Sequence, residues 1–207
     1  MRYELFSIPL EVEHSVISDE ERENLLSQIM DEYDKDEDYV VPFWDGDVNS
    51  SCYREDCINY DALLEPIKDL YRKIAYNFLP HNCGITNMWY NVYRKGYSQE
   101  IHLHSSRGAD PPTLFSGIYF CKYEEDHAPV KFWNPSTVYL STLSANLVEY
   151  SDSKENFHID SYGKEVISYH PKQGDLIMFP SFLMHSVPIQ RIDSKRVTIS
   201  FNIQLVP

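Results

Sequence analysis

The chain has 207 residues, of which 43% are hydrophobic and 24% are charged, a balance typical of a globular protein rather than a disordered one. A chain of this length can bury a sizeable core as one domain. No apolar run approaches the roughly 20 residues that a membrane span needs. The first 14 residues also lack the basic start and apolar stretch of a secretory signal. We therefore expect a cytoplasmic protein without a membrane segment.

The formal net charge of −14 comes from the first third of the chain. Residues 1–61 contain 4 Lys and Arg against 18 Asp and Glu, whereas residues 62–207 contain 14 of each. Binding to a phosphate backbone needs clustered cations, so this distribution disfavours nucleic acid as a partner. It fits a basic polypeptide as a partner, and it fits a role in solubility equally well. The four cysteines form no CxxC pair, which disfavours a zinc ribbon and indicates thiols in a reducing compartment.

The first 80 residues predict a short strand at 2–10 followed by two helices. Ser18-Asp-Glu-Glu21 is a capping box, and apolar residues at helical spacing follow it, which predicts a helix over about 19–33. The acidic run 31–38 lacks the glycine and the final glutamate of a calcium loop, so we interpret it as a solvated helix end and loop. A second apolar stripe predicts a helix over about 60–79, which Pro80 ends.

From residue 85 onward the pattern is that of short β-strands separated by Gly, Pro, Asn and Asp. The predicted strands cover residues 88–93, 101–104, 115–121, 130–133, 166–169, 176–179 and 196–206. Many short strands between turn signals are typical of a sandwich or barrel. We therefore predict a mainly β protein with a single domain over 1–207. The strand and helices lie in 1–80, the β core lies in 81–207, and the polar stretch 141–165 is a loop or insertion.

Histidines stand out in two of the predicted strands. In Gly96-Tyr-Ser-Gln-Glu-Ile-His102-Leu-His104, the two imidazoles lie on one face of the strand, because alternate side chains share a face. Two imidazoles placed in this way can bind a single ion. A second segment, Gly174-Asp-Leu-Ile-Met-Phe-Pro180, is a strand and turn that His185 follows.

The last strand, Arg196-Val-Thr198-Ile-Ser200-Phe-Asn202-Ile-Gln204-Leu, has the cleanest alternation in the chain. One of its faces is apolar and the other is polar, which suits a barrel whose interior is a ligand pocket. A single histidine is usually a surface or core residue, and a single arginine usually forms a salt bridge. The histidines and the arginine together, in one β-rich frame, indicate a functional site.

These segments resemble the Fe(II)/2-oxoglutarate-dependent dioxygenases, particularly the prolyl-hydroxylase-like and the small bacterial or phage branches. The resemblance covers about residues 85–205. It rests on Trp89-Tyr-Asn-Val-Tyr93, His102-x-His104, Ser116-Gly-Ile-Tyr119-Phe, Gly174-Asp-Leu-Ile-Met-Phe-Pro180 with His185, and Arg196-x-Thr198. It implies a double-stranded β-helix, or jelly roll, with the two helices packed on it. It also implies Fe(II), with 2-oxoglutarate and O2 as cosubstrates, and hydroxylation of a substrate with release of succinate and CO2.

The resemblance also implies roles for individual residues. His102 and His185 would bind the iron. Arg196 would pair with the distal carboxylate of 2-oxoglutarate, assisted by Thr198 and Tyr119. Tyr93 is a further candidate for cosubstrate binding.

The position of the family's carboxylate ligand is occupied by His104. Three neutral imidazoles would leave an Fe(II) site with a charge of +2, whereas two imidazoles and a carboxylate would leave +1; imidazole is nevertheless an adequate ligand for Fe(II). Our hypothesis is that His104 binds the metal directly, with Glu100 or Asp110 as the alternative third ligand. His158-Ile-Asp160 matches the family's His-x-Asp literally. It lies only 27 residues before His185, too close for the intervening strands, so we do not expect it to bind the metal.

Two other interpretations stay open. A cupin-like enzyme or ligand-binding protein could use a three-histidine metal site without 2-oxoglutarate, because Gly96-x5-His102-x-His104 and Pro180-x4-His185 match parts of the cupin motifs. Such a protein would not need Arg196-x-Thr198. A β-sandwich binding module without enzymatic activity is the second interpretation. The sequence does not indicate the substrate, and a protein residue and a small metabolite both fit.

Overall fold

The computed structural model describes residues 8–75, 83–104, 112–135 and 166–205, and the structural statements below concern these residues. They form two helices and ten strands, which we number in chain order. The helices are α1 (Asp19–Lys35) and α2 (Asp61–Ala75). The strands are β1 (Glu11–Glu13), β2 (Asn49–Ser50), β3 (Cys83–Tyr93), β4 (Gln99–His102), β5 (Thr113–Lys122), β6 (Val130–Trp133), β7 (Val166–Tyr169), β8 (Leu176–Pro180), β9 (His185–Val187) and β10 (Arg196–Leu205).

The strands form two sheets. The larger sheet has the order β1-β8-β5-β10-β3-β2 and the smaller sheet has the order β4-β9-β6-β7. All of their pairings are antiparallel. Most neighbours in a sheet are not consecutive in the chain, so the chain crosses repeatedly between the sheets, as in a jelly roll. The predicted mainly β fold is confirmed.

Helix α1 begins where the capping box predicts. The Ser18 hydroxyl accepts the Glu21 N–H at 3.2 Å, and the Glu21 carboxylate accepts the Ser18 N–H at 2.8 Å, so two of the unpaired donors at the helix start are satisfied. Its buried face includes Leu25, Ile29 and Tyr33. The helix runs two residues beyond the predicted end.

Both helices pack on one face of the larger sheet. The apolar face of β10 supplies Val197, Ile199, Phe201 and Ile203 to this layer, where they join apolar residues of α1 and α2 in one core cluster. Gly117 on β5 is required here, because a Cβ at this position would lie 2.1 Å from the Phe201 ring and 2.5 Å from the Ile177 carbonyl oxygen.

The opposite face of the larger sheet looks toward the smaller sheet. A second apolar cluster fills part of the space between them, with Ile118 and Phe120 from β5 and Phe132 and Phe179 from β6 and β8. The polar face of β10 also points into this space: Arg196, Thr198, Ser200 and Asn202 are all buried. The alternation of the last strand therefore separates a helix-packed core from a polar interior.

Two predicted boundaries differ from the structure. The first strand is observed at Glu11–Glu13 rather than at 2–10, and its partner is β8. Pro9 falls within the predicted run and has no N–H to donate, and residues 8–10 do not pair; residues 1–7 lie outside the described part. Helix α2 begins at Asp61. The predicted end of this helix, residues 76–79, also lies outside the described part of the chain. In the described ranges, neither helix is long and apolar enough to span a bilayer.

Candidate metal centre and adjoining cavity

Three imidazoles converge between the two sheets. His102 ends β4 and is the register partner of His185 on β9, and His104 follows two residues after His102. Each of these three histidines offers one ring nitrogen to a metal, and the three nitrogens lie within 4.8 Å of one another. Ile101 and Leu103 alternate with these histidines and are exposed, as a strand requires. The predicted convergence of the three histidines is therefore observed.

Each ring is oriented by a hydrogen bond at Nδ1. His102 Nδ1 lies 2.9 Å from the Glu100 carbonyl oxygen, and His185 Nδ1 lies 2.9 Å from the Leu183 carbonyl oxygen. His104 Nδ1 lies 2.8 Å from Oδ1 of Asn202. Because all three partners are acceptors, Nδ1 carries the proton and the lone pair is at Nε2. This is the arrangement that metal-binding histidines commonly show.

Burial keeps the three imidazoles neutral. Desolvation, reinforced by the neighbouring His102, lowers the pKa of His104 to about 4. It lowers the pKa of His185 well below the usual value and lowers the pKa of His102 as well. A metal ligand must be deprotonated at the donor atom, so the cluster is ready to bind a cation at neutral pH.

A buried arginine lies beside the cluster. Arg196 is 1% exposed, and none of its three guanidinium nitrogens has a hydrogen-bond partner among the described residues. Aromatic rings surround it instead, with the guanidinium carbon 4.8 Å from the ring centre of Tyr93 and 5.5 Å from that of Phe120. Burial lowers the pKa of this guanidinium, and the tyrosines oppose that shift. A buried cation with unused donors is a site for an anion.

One cavity joins the arginine to the histidines. About 320 Å³ in and around it is free of protein atoms, and part of this space is open to solvent. Its polar lining includes Asn91, Gln99, Thr198 and Ser200, and no carboxylate of the described residues lines it. Its walls are completed by Trp89, Tyr93, Ile118, His102, His104, His185, Val187 and Arg196. A cation site and an arginine in one small cavity, without a carboxylate, favour an anionic ligand that bridges them.

Several polar residues of the cavity are held in place by hydrogen bonds to one another. The Tyr93 hydroxyl donates to Oε1 of Gln99 at 2.7 Å, and burial raises the pKa of Tyr93 to about 12, so it stays protonated. Asn91, the register partner of Thr198, donates to Ser200 Oγ at 3.0 Å, while its own Oδ1 has no partner within the described ranges.

Comparison with known families accounts for this site. Residues 87–202 match the model of a family described as "Putative 2OG-Fe(II) oxygenase", where 2OG is 2-oxoglutarate. The chain belongs to this 2OG-Fe(II) oxygenase family. The match spans both sheets and includes all three histidines and Arg196. The donor set fits the implied metal, because three neutral imidazoles present Nε2 to one point, and the unpaired Arg196 fits the implied diacid.

Solved oxygenase structures share the fold at low sequence identity. A prolyl-4-hydroxylase of Pseudomonas putida has a TM-score of 0.62 at 12% identity, covering 97% of this chain and 95% of that one. The viral collagen prolyl hydroxylase of Paramecium Bursaria Chlorella virus-1, in its 2OG complex, has a TM-score of 0.60 at 12% identity, covering 95% of this chain and 96% of that one. The carbocyclase SnoK of nogalamycin biosynthesis has a TM-score of 0.66 at 11% identity, covering 95% and 79%. These similarities confirm the double-stranded β-helix. No curated protein matches the chain significantly in sequence.

Tyr119, expected from the oxygenase resemblance to help anchor the cosubstrate, lies outside the cavity. It is fully buried in the layer between the larger sheet and the helices, together with Leu25 and Ile29 of α1. The next residue on the same face, Cys121, contacts the Arg22 carbonyl oxygen of α1. The cavity is reached instead from the other face of β5, by Ile118. We therefore correct this expectation.

Glu100 is also corrected as an alternative third ligand of the oxygenase metal. A β-bulge between Gln99 and His102 places one extra residue on β4, which reverses the alternation at this point. Gln99 and His102 therefore both line the cavity, and the Glu100 carboxylate accepts the Gly46 N–H at 3.3 Å. Asp110, His158 and Asp160 lie outside the described residues.

Sequence reasoning missed several residues of the oxygenase site. In the sequence Asn202 is only one member of a polar face, and its contact with His104 depends on how β10 lies relative to the end of β4. Asn91 and Gln99 line the cavity; each lies within a quoted motif, but the motif assigns neither of them a role. Asn91 could have been found from its place two residues before Tyr93 in the same strand.

Proposed function

We propose that this oxygenase hydroxylates a C–H bond of its substrate at the expense of 2-oxoglutarate and O2. One oxygen atom enters the substrate as a hydroxyl group, and the other enters the succinate formed when 2-oxoglutarate loses CO2. Fe(II), held by His102, His104 and His185, would supply the activation of O2. The single observation that carries the proposal is the buried, unpaired Arg196 in the same small cavity as three convergent, neutral imidazoles.

Arg196 would hold the distal carboxylate of 2-oxoglutarate. Its donors have no partner among the residues described, and a carboxylate accepts two parallel N–H bonds from a guanidinium. Thr198 lies two residues along β10 on the same face, where its hydroxyl could donate to the same carboxylate. The Tyr93 ring, stacked against the guanidinium, would keep water from its face. Aromatic walls raise the strength of the ion pair because they lower the local dielectric.

The histidines would hold the metal at the other end of the cosubstrate. Three neutral ligands give no charge compensation, so the metal's full +2 charge and the guanidinium would face a dianion. The histidine set without a carboxylate therefore favours a dianionic ligand over a neutral or monoanionic one. The hydrogen bonds at Nδ1 would keep each ring in the tautomer that presents Nε2.

Two observations bear on the substrate class. Two similar structures are described as prolyl hydroxylases, which suggests a residue of a protein substrate, whereas SnoK is described as a carbocyclase. The acidic first 61 residues would favour a basic polypeptide, and a small metabolite is the alternative. The same fold thus accommodates more than one oxidative outcome, and we propose hydroxylation as the outcome here.

A turnover assay without the native substrate tests the cosubstrate. Purified protein is incubated with Fe(II), 2-oxoglutarate and O2, and succinate is measured against a sample without Fe(II). We expect slow, iron-dependent succinate formation that Arg196→Met reduces by at least tenfold at limiting 2-oxoglutarate. Tyr119→Phe is the control, because its hydroxyl faces the helices. Iron binding without any succinate, and without binding of 2-oxoglutarate, would contradict the proposal.

A three-histidine metal enzyme that does not use 2-oxoglutarate is the second candidate. The absence of a carboxylate among the three clustered residues favours it. It leaves the buried Arg196 without a function, however, and a cation buried without a partner is costly. The succinate assay separates the two candidates.

A further inference from the structure

We propose that Asn202 is a positioning residue that fixes the third imidazole, His104, for metal binding. The inference rests on the proposed metal centre. The Asn202 side-chain oxygen lies 2.8 Å from His104 Nδ1; Asn202 is buried and His104 is partly buried between the sheets. Asn202 is neither a cavity-lining residue nor a member of the metal-binding cluster, so it would act through His104.

A second hydrogen bond holds the Asn202 side chain in place. The Ser116 hydroxyl donates to the same oxygen at 2.8 Å, and Ser116 is fully buried. Ser116 and Asn202 are register partners on adjacent strands β5 and β10, so this contact is fixed by the central pairing of the larger sheet. The two donors therefore converge on one oxygen whose position the backbone sets.

The contact decides which nitrogen of His104 is available. An oxygen at Nδ1 requires the proton there and leaves the lone pair at Nε2. With the acceptor removed, the neutral ring can place its proton on either nitrogen and can rotate about its side-chain bonds. Metal binding would then have to restore both the tautomer and the orientation. Removing a hydrogen-bond partner of a metal-binding histidine typically lowers metal affinity about 10–100-fold.

His104 differs in this respect from the other two histidines. His102 and His185 donate to main-chain carbonyl oxygens, which no side-chain substitution removes. His104 stands where the related enzymes have a carboxylate, follows the end of β4, and depends on a side chain from a different strand. The Trp89 ring also lies beside His104, with the two ring centres 5.7 Å apart. The Ser116–Asn202 pair thus sets the tautomer and the orientation of His104, the third ligand.

Titration of the full-length apoprotein with Co(II), followed by its visible absorption, tests the proposal. We expect Asn202→Leu to weaken Co(II) binding by roughly 10–100-fold and Ser116→Ala to weaken it less. Asn202→Asp keeps an acceptor of the same shape and should bind at least as tightly as the wild type. Gln204→Leu is the matched control. Gln204 lies on the same face of β10, two residues further on, and donates to Thr113 Oγ1 at 3.0 Å, so Co(II) binding should be unchanged.

A double substitution distinguishes an effect that acts through His104 from a general destabilisation of the fold. In a His104→Ala background, Asn202→Leu should have no further effect on Co(II) affinity, because the ligand that it orients is absent. An equal effect in both backgrounds, or wild-type affinity in Asn202→Leu, would overturn the proposal.

A tautomer measurement keeps the inference separate from the proposed function. Nitrogen-15 NMR of the metal-free protein should show His104 protonated at Nδ1 in the wild type and in Asn202→Asp, and a mixture of tautomers in Asn202→Leu. If Asn202→Leu does not fold, Ser116→Ala should show a partial mixture. Failure of the wild type to bind Co(II) would refute the metal centre, whereas an unchanged tautomer in these variants would refute the role of Asn202.

Discussion

Replacing Arg196 by methionine should stabilise the apoprotein while abolishing its response to 2-oxoglutarate. The guanidinium is 1% exposed and has no hydrogen-bond partner in the part of the chain that the structure describes. The effective cost of burying an ion is several kcal/mol, and well-packed apolar replacements for buried ions have stabilised proteins by about 1–4 kcal/mol. Loss of the contacts with Tyr93 and Phe120 offsets up to about 2 kcal/mol of this gain.

Central values of about 2.5 kcal/mol for the gain and about 1 kcal/mol for the loss leave an expected net gain of about 1.5 kcal/mol. For a chain of this size each kcal/mol shifts the melting temperature by roughly 2–4 °C, so apo Arg196→Met should melt several degrees higher than the wild type. The assay is thermal unfolding of the metal-free protein, repeated with Co(II) alone and with Co(II) plus 2-oxoglutarate. At a 2-oxoglutarate concentration 100 times its Kd, the wild type should gain about 2.7 kcal/mol, and the variant should gain almost nothing.

Arg22→Met is the matched control. Arg22 is also buried, but it pairs with Asp19 at 3.0 Å and with Glu23 at 2.8 Å. Its removal should leave stability unchanged or lower it, and should leave the response to 2-oxoglutarate intact. A less stable apo Arg196→Met protein that still gains stability from 2-oxoglutarate would refute the reasoning that this cation is held for an anionic ligand.

Three further predictions concern other parts of the structure. Gly117→Ala should lower the free energy of unfolding by about 1–3 kcal/mol in urea titrations, because the added carbon would meet the Phe201 ring and the Ile177 carbonyl oxygen. Unchanged stability would show that β5 is further from these neighbours than the structure places it. Tyr93→Phe removes the hydroxyl that donates to the cavity residue Gln99, so it should weaken 2-oxoglutarate binding in calorimetry. Tyr119→Phe should not weaken it, and the reverse result would contradict the placement of these two side chains. In the apoprotein, the pKa of His104 is lowered from 6.5 to about 4. Between pH 4 and pH 6.5 the unfolded state therefore binds more protons at this residue than the folded state does. Stability should therefore fall as the pH drops from 6.5 to 4, by roughly 3 kcal/mol, and a denaturation midpoint that is constant over this window would contradict the burial of this ring.

The histidines and the arginine could be found from the sequence because strand periodicity has a simple consequence. His102 and His104 share a face whatever their partner strand is, and the alternation along β10 separates Arg196 from its apolar neighbours. The convergence of these residues did not follow from periodicity. It came from the resemblance to a family, which supplied the order of the strands.

The two corrected residues show where periodicity is insufficient. Glu100 shares the strand face of His102 by simple counting, but the bulge on β4 reverses this, and a bulge leaves no clear signal in the sequence. Tyr119 lies in β5, which is buried on both faces between the helices and the smaller sheet, so both of its faces carry apolar residues. Such a strand does not reveal which of its faces lines the cavity. The division of the chain at residue 80 stays a prediction.

The most direct measurement is an anaerobic crystal structure of the protein with Fe(II) and 2-oxoglutarate, with the metal located by its anomalous scattering. We predict a single iron bound by Nε2 of His102, His104 and His185, with one end of the diacid on the iron and the other on the guanidinium of Arg196. Iron bound elsewhere, His104 turned away from the metal, or a diacid that does not touch Arg196 would contradict the account.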